Sequence, residues 1–306
     1  MPPFSPATTA PPHLERWLLR LSPTRPLPHL EHGGSMLRGA FGHALKALAC
    51  ACGSETHRPD CLYQQIFEPS PPADWPLRYR NCPPAYVITP PARIRSATHL
   101  DFGFTLLGPA LEHRALLWQA WQQAAAHGLG QQQIPARLQA LGHESGLPAV
   151  PGSGPLRLQL VSPLLLKRKQ PGQTASRPLG PAELGCSDLL IALHRRLELT
   201  HRLYGVPATP LPALETWLSL HEHLTLRTHL QEHHFARHSN RQQQRMPLYG
   251  LSGDIHLSGP LPSSLRTALN IGQWLHVGGK TALGFGGYRL TAPAAPTLRL
   301  TLEDSL

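Results

Sequence analysis

The chain has 306 residues, enough for two ordinary domains, and its 28 Lys and Arg outnumber its 18 Asp and Glu, for a net charge of +10. This balance is typical of proteins that bind a polyanion, because guanidinium groups match phosphates, although a GC-rich genome would also enrich Arg. No apolar run approaches about 20 residues, which excludes a transmembrane helix, and five cysteines indicate no disulfide framework, so a reducing cytoplasm is expected.

The first half of the chain opens with residues 1–12, which lack the features of a secretory signal and are expected to be a disordered lead-in. Residues 13–142 then alternate between strand-like and helix-like patterns. Strands are predicted over 13–21, 85–89, 102–107 and 134–141, and helices over 35–51 and 111–127. Ser35 is the expected N-cap of the first helix, and Gly128 is the expected end of the second.

A turn-rich stretch, residues 143–155, separates this half from the next and is predicted to be a linker. Residues 156–291 form the second predicted domain, and 292–306 a tail. Strands are predicted over 156–161, 224–230, 249–257 and 285–290, and helices over 181–204, 214–220 and 262–277. Pro181 suits the first turn of the long helix and Gly205 its end.

Leaving the short helix over 214–220 aside, both halves follow the order β-α-β-β-α-β, which is the ferredoxin-like motif. The pattern is clear in the second half and weaker in the first. The predicted fold class is therefore α+β, with two tandem ferredoxin-like (RRM-like) domains and a Gly-rich loop near the C-terminus.

The most informative motif is this Gly-rich loop, which places five glycines within residues 278–287 around Lys280. It is not a Walker A loop, because Trp274 occupies the position of the required first glycine and a helix precedes it. Glycines let backbone N–H groups approach phosphates, and Lys280 adds a positive charge. A plain turn is the alternative, but it needs fewer glycines, so phosphate contact is favoured.

A second motif, residues 237–246, contains Arg237, Arg241 and Arg245 and no acidic residue. Such a donor-rich segment suits contacts with phosphates or base edges, and a solvated polar loop is the alternative. The preceding His-rich stretch, 221–237, is compatible with a strand or with a protruding helix.

A third motif lies on the first predicted helix, where Arg38, His43 and Lys46 fall outside its apolar face. His43 is the side chain here that can exchange a proton near neutral pH, although an isolated surface histidine is more often without a role.

Four residues in a short segment, Cys50, Cys52, His57 and Cys61, are of types that ligate zinc. Cys-x-Cys is a poor chelating turn, however, and no Cys-x-x-Cys follows. The site predictions therefore include no metal, and zinc binding by these residues is left open.

Together these segments resemble the CRISPR repeat-processing endoribonucleases of the RAMP (repeat-associated mysterious protein) superfamily. The signature of that family is G-h-G, five residues that include a Lys or Arg, and a second G-h-G. Gly284-Phe285-Gly286 matches the second part, whereas His276 stands where the first glycine is expected. The segments 37–43, 162–168 and 239–253 match in the expected order.

The resemblance implies two ferredoxin-like domains and a cytoplasmic enzyme of antiviral defence that binds the stem-loop of a CRISPR repeat and cuts precursor transcript into mature crRNA. In the family the ribose 2′-OH attacks the adjacent phosphate without a metal or other cofactor, which leaves a 2′,3′-cyclic phosphate and a 5′-OH. The implied partners are precursor and mature crRNA and other CRISPR effector subunits, with no membrane partner.

Carried over to this sequence, the resemblance makes His43 the candidate general base. It makes Arg38 and Lys46 candidates for stabilising the phosphorane, and because some family members lack the histidine, Arg241 is the alternative candidate, which would carry catalysis by its charge alone. The predicted RNA contacts are Arg168, Lys169, Arg237, Arg241, Arg245, Gly278, Gly279, Lys280, Gly284 and Gly286.

Two other functions stay open on the sequence alone. A non-catalytic crRNA-binding subunit of an effector complex would share the fold and the basic surface. A metal-dependent nuclease is disfavoured, because the sequence has no clustered Asp and Glu and few acids throughout.

Overall fold

The structure is a computed structural model, and it describes residues 14–29, 31–53, 56–72, 75, 82–91, 94, 98–147, 149–150, 152–170, 172–173, 175–239 and 244–293. The predicted lead-in and the tail from residue 294 lie outside the described residues. In this part of the chain no helix is long and apolar enough to cross a bilayer.

The N-terminal half forms one four-stranded antiparallel sheet with helices on one face. Its elements are β1 (Leu14–Pro23), α1 (Gly34–Ala49), α2 (Leu62–Phe67), β2 (Tyr86–Thr89), β3 (Leu100–Leu107), α3 (Pro109–Glu112), α4 (Arg114–His127) and β4 (Ala136–Glu144). The strand order β2-β3-β1-β4 is that of a ferredoxin-like unit. β4 ends at Glu144, so it extends beyond the predicted start of the linker.

The C-terminal half repeats this topology. Its elements are β5 (Leu156–Leu160), β6 (Lys167–Lys169), β7 (Ser176–Pro178), α5 (Cys186–Tyr204), α6 (Leu214–Leu218), β8 (Thr225–Ser239), β9 (Gln244–Ser258), α7 (Ser263–Leu275) and β10 (Tyr288–Thr291). The sheet order is β10-β5-β9-β8, and β6 and β7 form a separate hairpin. The tandem ferredoxin-like fold predicted from the sequence is therefore confirmed.

Aromatic and aliphatic side chains fill the space between each sheet and its helices. In the first half Phe41 of α1 stacks on Trp121 of α4, with ring centroids 4.9 Å apart, and meets Phe104 of β3 edge-on at 5.0 Å. All three side chains are fully buried, and burial of each contributes about 1.5–3 kcal/mol. Leu14 and Val87 of the first half pack into the core of the second half, so the two halves share apolar contacts.

Two predicted helix starts are wrong. Ser35 does not cap α1, because Gly33 is the N-cap and Ser35 lies inside the helix. Pro181 is not in the first turn of α5, which begins at Cys186. There the Asp188 carboxylate accepts a hydrogen bond from the Gly185 amide at 2.9 Å, which satisfies a donor at the helix end. The predicted end of α5 is confirmed, since Gly205 is its C-cap.

The stretch 221–237 is largely a strand and not a protruding helix. β8 pairs with β9 along its whole length, from Thr225 with Ser258 to Ser239 with Gln244. β5 pairs with β9 only between Asp254 and Leu257. The rest of β8 and β9 therefore forms a two-stranded ribbon that extends past the four-stranded sheet.

Candidate nucleic-acid interface

A cavity of about 710 Å³ lies where three segments of the C-terminal half meet. We call it the basic cleft. Its walls are residues 165–169, which end in β6, one face of α5, and the Gly-rich loop. Cys82 and Pro83 of the N-terminal half close one side. The residues that line it are Cys82, Pro83, Leu165, Leu166, Lys167, Arg168, Lys169, Asp188, Ile191, Ala192, Arg195, Arg196, Leu199, Gly278, Gly279, Lys280, Thr281 and Ala282.

Positive charge dominates the basic cleft. Lys167, Lys169, Arg195 and Lys280 are exposed there, and Asp188 is the single acid among the described residues that line it. Arg168 donates to both carboxylate oxygens of Asp188, with Nε 2.9 Å from Oδ1, so the two charges neutralise each other. The remaining cations give the cleft the sign that a phosphate backbone requires.

Buried Arg196 forms part of the wall and binds the end of α7, the helix that precedes the Gly-rich loop. Its Nε and Nη2 donate to the Leu275 carbonyl, at 2.9 and 2.8 Å, at the last residue of α7. Burial lowers the pKa of the Arg196 guanidinium to about 10, so it stays charged at neutral pH. A cation at the C-terminus of a helix is favourable, and it adds positive potential behind the loop.

The Gly-rich loop uses several of its amides inside the protein. The N–H of Gly279 donates to the Leu165 carbonyl at 2.7 Å, that of Gly284 to Thr281 at 2.8 Å and that of Gly286 to Pro163 at 2.8 Å. These three amides are therefore occupied, and an anion-binding nest built from them is not supported. RNA contact at Gly278, Gly279, Gly284 and Gly286 stays a prediction, and Lys280 is the charged group that the loop presents.

Close packing explains the glycines better than phosphate contact does. Gly286 has φ +74°, and a Cβ there would lie 1.8 Å from the Val277 carbonyl oxygen. The Val277 amide in turn donates to the Gly286 carbonyl at 3.0 Å. Two backbone segments touch at this point, so only glycine, which has no side chain, allows the loop to adopt this shape.

Gly286→Ala is expected to destabilise the protein by about 3 kcal/mol or more, because the methyl group meets backbone and the φ is positive. Gly205→Ala is the matched control, since Gly205 has φ +66° but an added methyl group would meet no atom within 4 Å. Its cost is about 1 kcal/mol. Denaturant unfolding measures both, and equal losses would contradict the close-packing argument.

His276, which replaces the first glycine of the family signature, joins the two halves of the chain. It is fully buried, with Nδ1 3.0 Å from the Phe285 carbonyl oxygen and Nε2 2.9 Å from the Thr89 hydroxyl. Because the carbonyl can only accept, Nδ1 donates to it and Nε2 accepts from Thr89. His276 also has φ +61°, which explains why glycine suits this position.

The pKa of His276 is lowered to about 3, first by burial and then by Arg196 and Arg16, and burial also lowers the pKa of His32. The unfolded chain therefore binds protons below about pH 6.5 that the folded chain does not. We expect the free energy of unfolding to fall as pH drops below about 6.5, by up to about 1.4 kcal/mol per pH unit for each histidine. Urea unfolding between about pH 7 and 5 measures the slope.

His276→Asn, which removes the titrating ring, should reduce that slope by about one proton. Gly205→Ala provides the control, because it changes stability without adding or removing a titratable group and should keep the wild-type slope. If the His276→Asn and wild-type curves ran parallel, the buried imidazole would not be the source of the pH dependence.

Arg38 of α1 is engaged within the protein. Its Nη1 donates to the Tyr86 hydroxyl at 2.6 Å, and its guanidinium carbon lies 4.1 Å from the centroid of the Phe67 ring. These contacts hold α1 against α2 and β2. A role for Arg38 in stabilising a phosphorane stays a prediction, and it requires that the guanidinium leave these partners.

His43 and Lys46 are both exposed on α1. They are three residues apart, so their side chains are neighbours on one helix face. Neither lines the basic cleft. The first turn of α1 does abut the Gly-rich loop, because a Cβ on Gly34 would lie 2.0 Å from the Leu283 carbonyl oxygen. His43 lies about 14 Å further along the helix axis.

His32 contacts the Gly-rich loop directly, and the sequence interpretation missed it. Its Nε2 lies 2.6 Å from the Leu283 carbonyl oxygen, and its ring meets Phe285 edge-on at 4.8 Å and approaches Phe235 at 5.8 Å. The ring is buried and ties α1 to the loop and to the ribbon. The signal available in the sequence was its place directly before Gly33 and Gly34, where the first helix begins.

The second motif falls at the tip of the ribbon. Arg237 of β8 pairs in register with Met246, and Arg245 of β9 with His238. Arg241 lies outside the described residues, as do the side chains of Arg237 and Arg245. Contact of these three arginines with RNA stays a prediction.

Comparisons with known families agree with this architecture. Residues 158–288 match the family model described as CRISPR-associated endoribonuclease Cas6. Residues 13–150 match a second family model, described as an N-terminal domain. No curated protein matches the sequence at a significant level.

Solved structures resemble the chain over almost its whole length. A Cas6 (TTHB231) product complex has a TM-score of 0.57 and 16% identity, covering 90% of this chain and 99% of its own. Thermus thermophilus Cas6 (TTHB231) has a TM-score of 0.53 and 14% identity, with coverage of 92% and 99%. A RAMP protein binding different RNA substrates has a TM-score of 0.52 and 10% identity, with coverage of 91% and 99%.

The structural likeness establishes the shared fold, and the family match lies on the half of the chain that carries the Gly-rich loop and the basic cleft. Residues 158–288 therefore match the Cas6 family model, and the chain as a whole shares the fold of solved Cas6 and RAMP proteins.

Proposed function

We propose that the protein is a metal-independent endoribonuclease that cuts CRISPR precursor transcript beside the repeat stem-loop and leaves a 2′,3′-cyclic phosphate and a 5′-OH. The observation that carries the proposal is the basic cleft next to the Gly-rich loop, in the segment that matches the Cas6 family model. Cations there bind the RNA backbone, and the loop connects the cleft to the start of α1.

The reaction needs no water and no redox partner. His43 accepts the proton of the ribose 2′-OH, and the resulting oxygen attacks the adjacent phosphorus. The bond from phosphorus to the 5′-oxygen breaks, and that oxygen takes up a proton from solvent to become the 5′-OH, while His43 returns its proton to solvent. Negative charge on the phosphorane is stabilised by Lys46, with Arg38 and Arg241 as further candidates.

The basic cleft and the ribbon divide the binding of RNA between them in this proposal. Lys169 and Lys280 line the cleft and take the strand beside the cut, while Arg168 contacts RNA when it is released from Asp188. Arg237, Arg241 and Arg245 at the ribbon tip contact the stem. A grip over two regions favours retention of the mature crRNA and its delivery to other effector subunits.

The deciding experiment is cleavage of an end-labelled repeat RNA with EDTA present. We expect cleavage at a single position, and a 3′-end that acid converts from cyclic to open phosphate. A short exposure to EDTA, with circular dichroism recorded on the same sample, separates loss of chemistry from loss of fold.

The same assay distinguishes the alternatives. Tight binding without cleavage, in the presence or absence of metal, would identify a non-catalytic crRNA-binding subunit. Cleavage that appears only when Mg²⁺ or Mn²⁺ is added would overturn the metal-independent mechanism.

A further inference from the structure

Four side chains between α1 and α2 converge on one point, away from the basic cleft. They are Cys50, Cys52, His57 and Cys61, and we call them the Cys₃His cluster. One ligand-type atom of each, three Sγ atoms and one imidazole nitrogen, lies within 4.8 Å of all the others. All four residues belong to the described part of the chain, and none forms a disulfide.

The spacing of these atoms suits a tetrahedral zinc ion. Nδ1 of His57 lies 3.3 Å from Sγ of Cys50 and 3.7 Å from Sγ of Cys61. With Zn–S bonds of about 2.3 Å and Zn–N bonds of about 2.0 Å, a tetrahedral site places sulfur and nitrogen about 3.5 Å apart. The observed separations lie on either side of this value.

Local structure explains how a sequence with an unfavourable Cys-x-Cys spacing brings the four residues together. Cys50 is the C-cap of α1 and Cys61 the N-cap of α2, so both helix ends point into the cluster. Gly53 follows Cys52 with φ +67°, which turns the chain back toward His57. Chelation therefore depends on two helix ends and a loop rather than on one tight turn.

The surroundings of the cluster support a bound metal. The Arg58 amide lies 3.5 Å from Sγ of Cys52, and such N–H groups stabilise metal-bound thiolates. The His57 ring packs on Tyr63, with centroids 5.1 Å apart, which fixes its orientation. Tyr63 is itself buried and stacks on Phe67 at 5.2 Å.

We propose that the Cys₃His cluster binds one Zn²⁺ ion in a closed, structural site that clamps the end of α1 to the start of α2. Three thiolates and an imidazole are the ligands that zinc prefers, and four protein ligands leave no open position for a substrate. The clamp lies one helical turn beyond Lys46, whose Nζ is 5.9 Å from the Tyr63 ring centroid. It thereby fixes the part of α1 that carries His43 and Lys46.

This zinc site is independent of the proposed cleavage chemistry, and its test does not use activity. Protein purified in reducing buffer without added metal is expected to contain close to one zinc per chain by elemental analysis. Cys52→Ser and Cys61→Ser should each lose most of it. Cys186→Ser, at a cysteine outside the cluster, is the matched control and should keep it.

A second measurement covers the case in which Cys61→Ser, at a buried position, fails to fold. Stripping zinc from the wild-type chain with a chelator should lower Tm by on the order of 10 °C, and Zn²⁺ alone should restore it. Co²⁺ in its place should give the absorption bands of a tetrahedral thiolate site. Cys52→Ser, at a half-exposed position, should show neither response.

Three outcomes would overturn the proposal. They are a wild-type chain that holds no zinc even after refolding with Zn²⁺, a Cys52→Ser variant that holds as much as the wild type, and a disulfide between cluster cysteines in reducing buffer. Failure of RNA cleavage with zinc still bound would contradict the proposed function and leave the metal site standing.

Discussion

Replacing Lys169, Arg195 and Lys280 together by alanine is expected to weaken binding of repeat RNA by about 10²–10³-fold. All three side chains are exposed in the basic cleft, where Asp188, the one acid that the described part of the lining contains, is bound by Arg168. Each cation that neutralises a phosphate of a single strand releases a counterion. Each such contact makes the plot of log K against log salt concentration steeper by about 0.7. The binding affinity of the triple variant should therefore depend less steeply on salt, with the slope smaller in magnitude by about two units.

A triple variant of equal charge provides the control for this experiment. Arg25, Arg137 and Arg289 are exposed and do not line the cleft, and their replacement by alanine changes the net charge by the same three units. We expect the control to bind within about threefold of the wild type, because remote charges are screened beyond about 10 Å. Binding curves at several salt concentrations measure both variants.

Two results would contradict the assignment. Equal losses in both triple variants would show that net charge, not the cleft, attracts the RNA. A cleft variant that binds as tightly as the wild type would leave the ribbon tip as the main binding surface. In that case Arg237 and Arg245 would be the residues to replace next.

The sequence predicts the order of strands and helices because apolar residues repeat with the period of each element. It predicts β8 and β9 only in part, over 224–230 and 249–257, and the strands extend to residues 225–239 and 244–258. The added residues form most of the ribbon, whose one further backbone pairing among the described residues is an isolated bridge between Leu251 and Leu164. Its residues are mostly polar on both faces, so the alternation that identifies a half-buried strand is missing there.

The Gly-rich loop shows what sequence spacing can and cannot establish. Its glycines and Lys280 predict a loop beside a binding surface, and of these residues Gly278, Gly279 and Lys280 line the basic cleft. The sequence cannot show that Gly279 and Gly286 donate to carbonyls of Leu165 and Pro163, more than 100 residues earlier in the chain. Hydrogen bonds between distant segments decide whether a glycine binds a ligand or permits close packing.

Zinc binding by the Cys₃His cluster cannot be decided from the sequence for a similar reason. Cys-x-Cys is unfavourable when the ligands come from one turn, and nothing local indicates that α1 ends at Cys50 while α2 begins after Cys61. His32 escaped notice because its partners, Leu283 and Phe285, lie about 250 residues away. Both features depend on long-range packing, which the local pattern does not encode.

His43→Ala is expected to lower the single-turnover rate of repeat cleavage by about 10²–10⁴-fold, with RNA binding unchanged within about twofold. The side chain is exposed on α1, so its removal leaves the core intact. A general base accepts the proton in the transition state and does not contribute to binding of the substrate, so its loss slows cleavage without weakening binding. Added imidazole should restore part of the rate, because a free base can take the place of the missing one.

Two further histidine variants test whether the effect belongs to His43. His127→Ala removes another exposed helical histidine and should cut at the wild-type rate. His32→Ala removes the hydrogen bond to Leu283 and leaves a cavity beside Phe285, so it should lower both stability and RNA binding by loosening the Gly-rich loop. Imidazole should not rescue it, since its role is positional.

The pattern of the three results locates the chemistry. A His43→Ala variant that cuts at the wild-type rate would show that the base is not on the exposed face of α1. If His32→Ala alone lost cleavage and recovered it with imidazole, the base would lie at the junction of α1 and the Gly-rich loop. The expected pattern, loss and rescue at His43 alone, places the scissile phosphate along α1, between the basic cleft and the segment that the Cys₃His cluster holds in place.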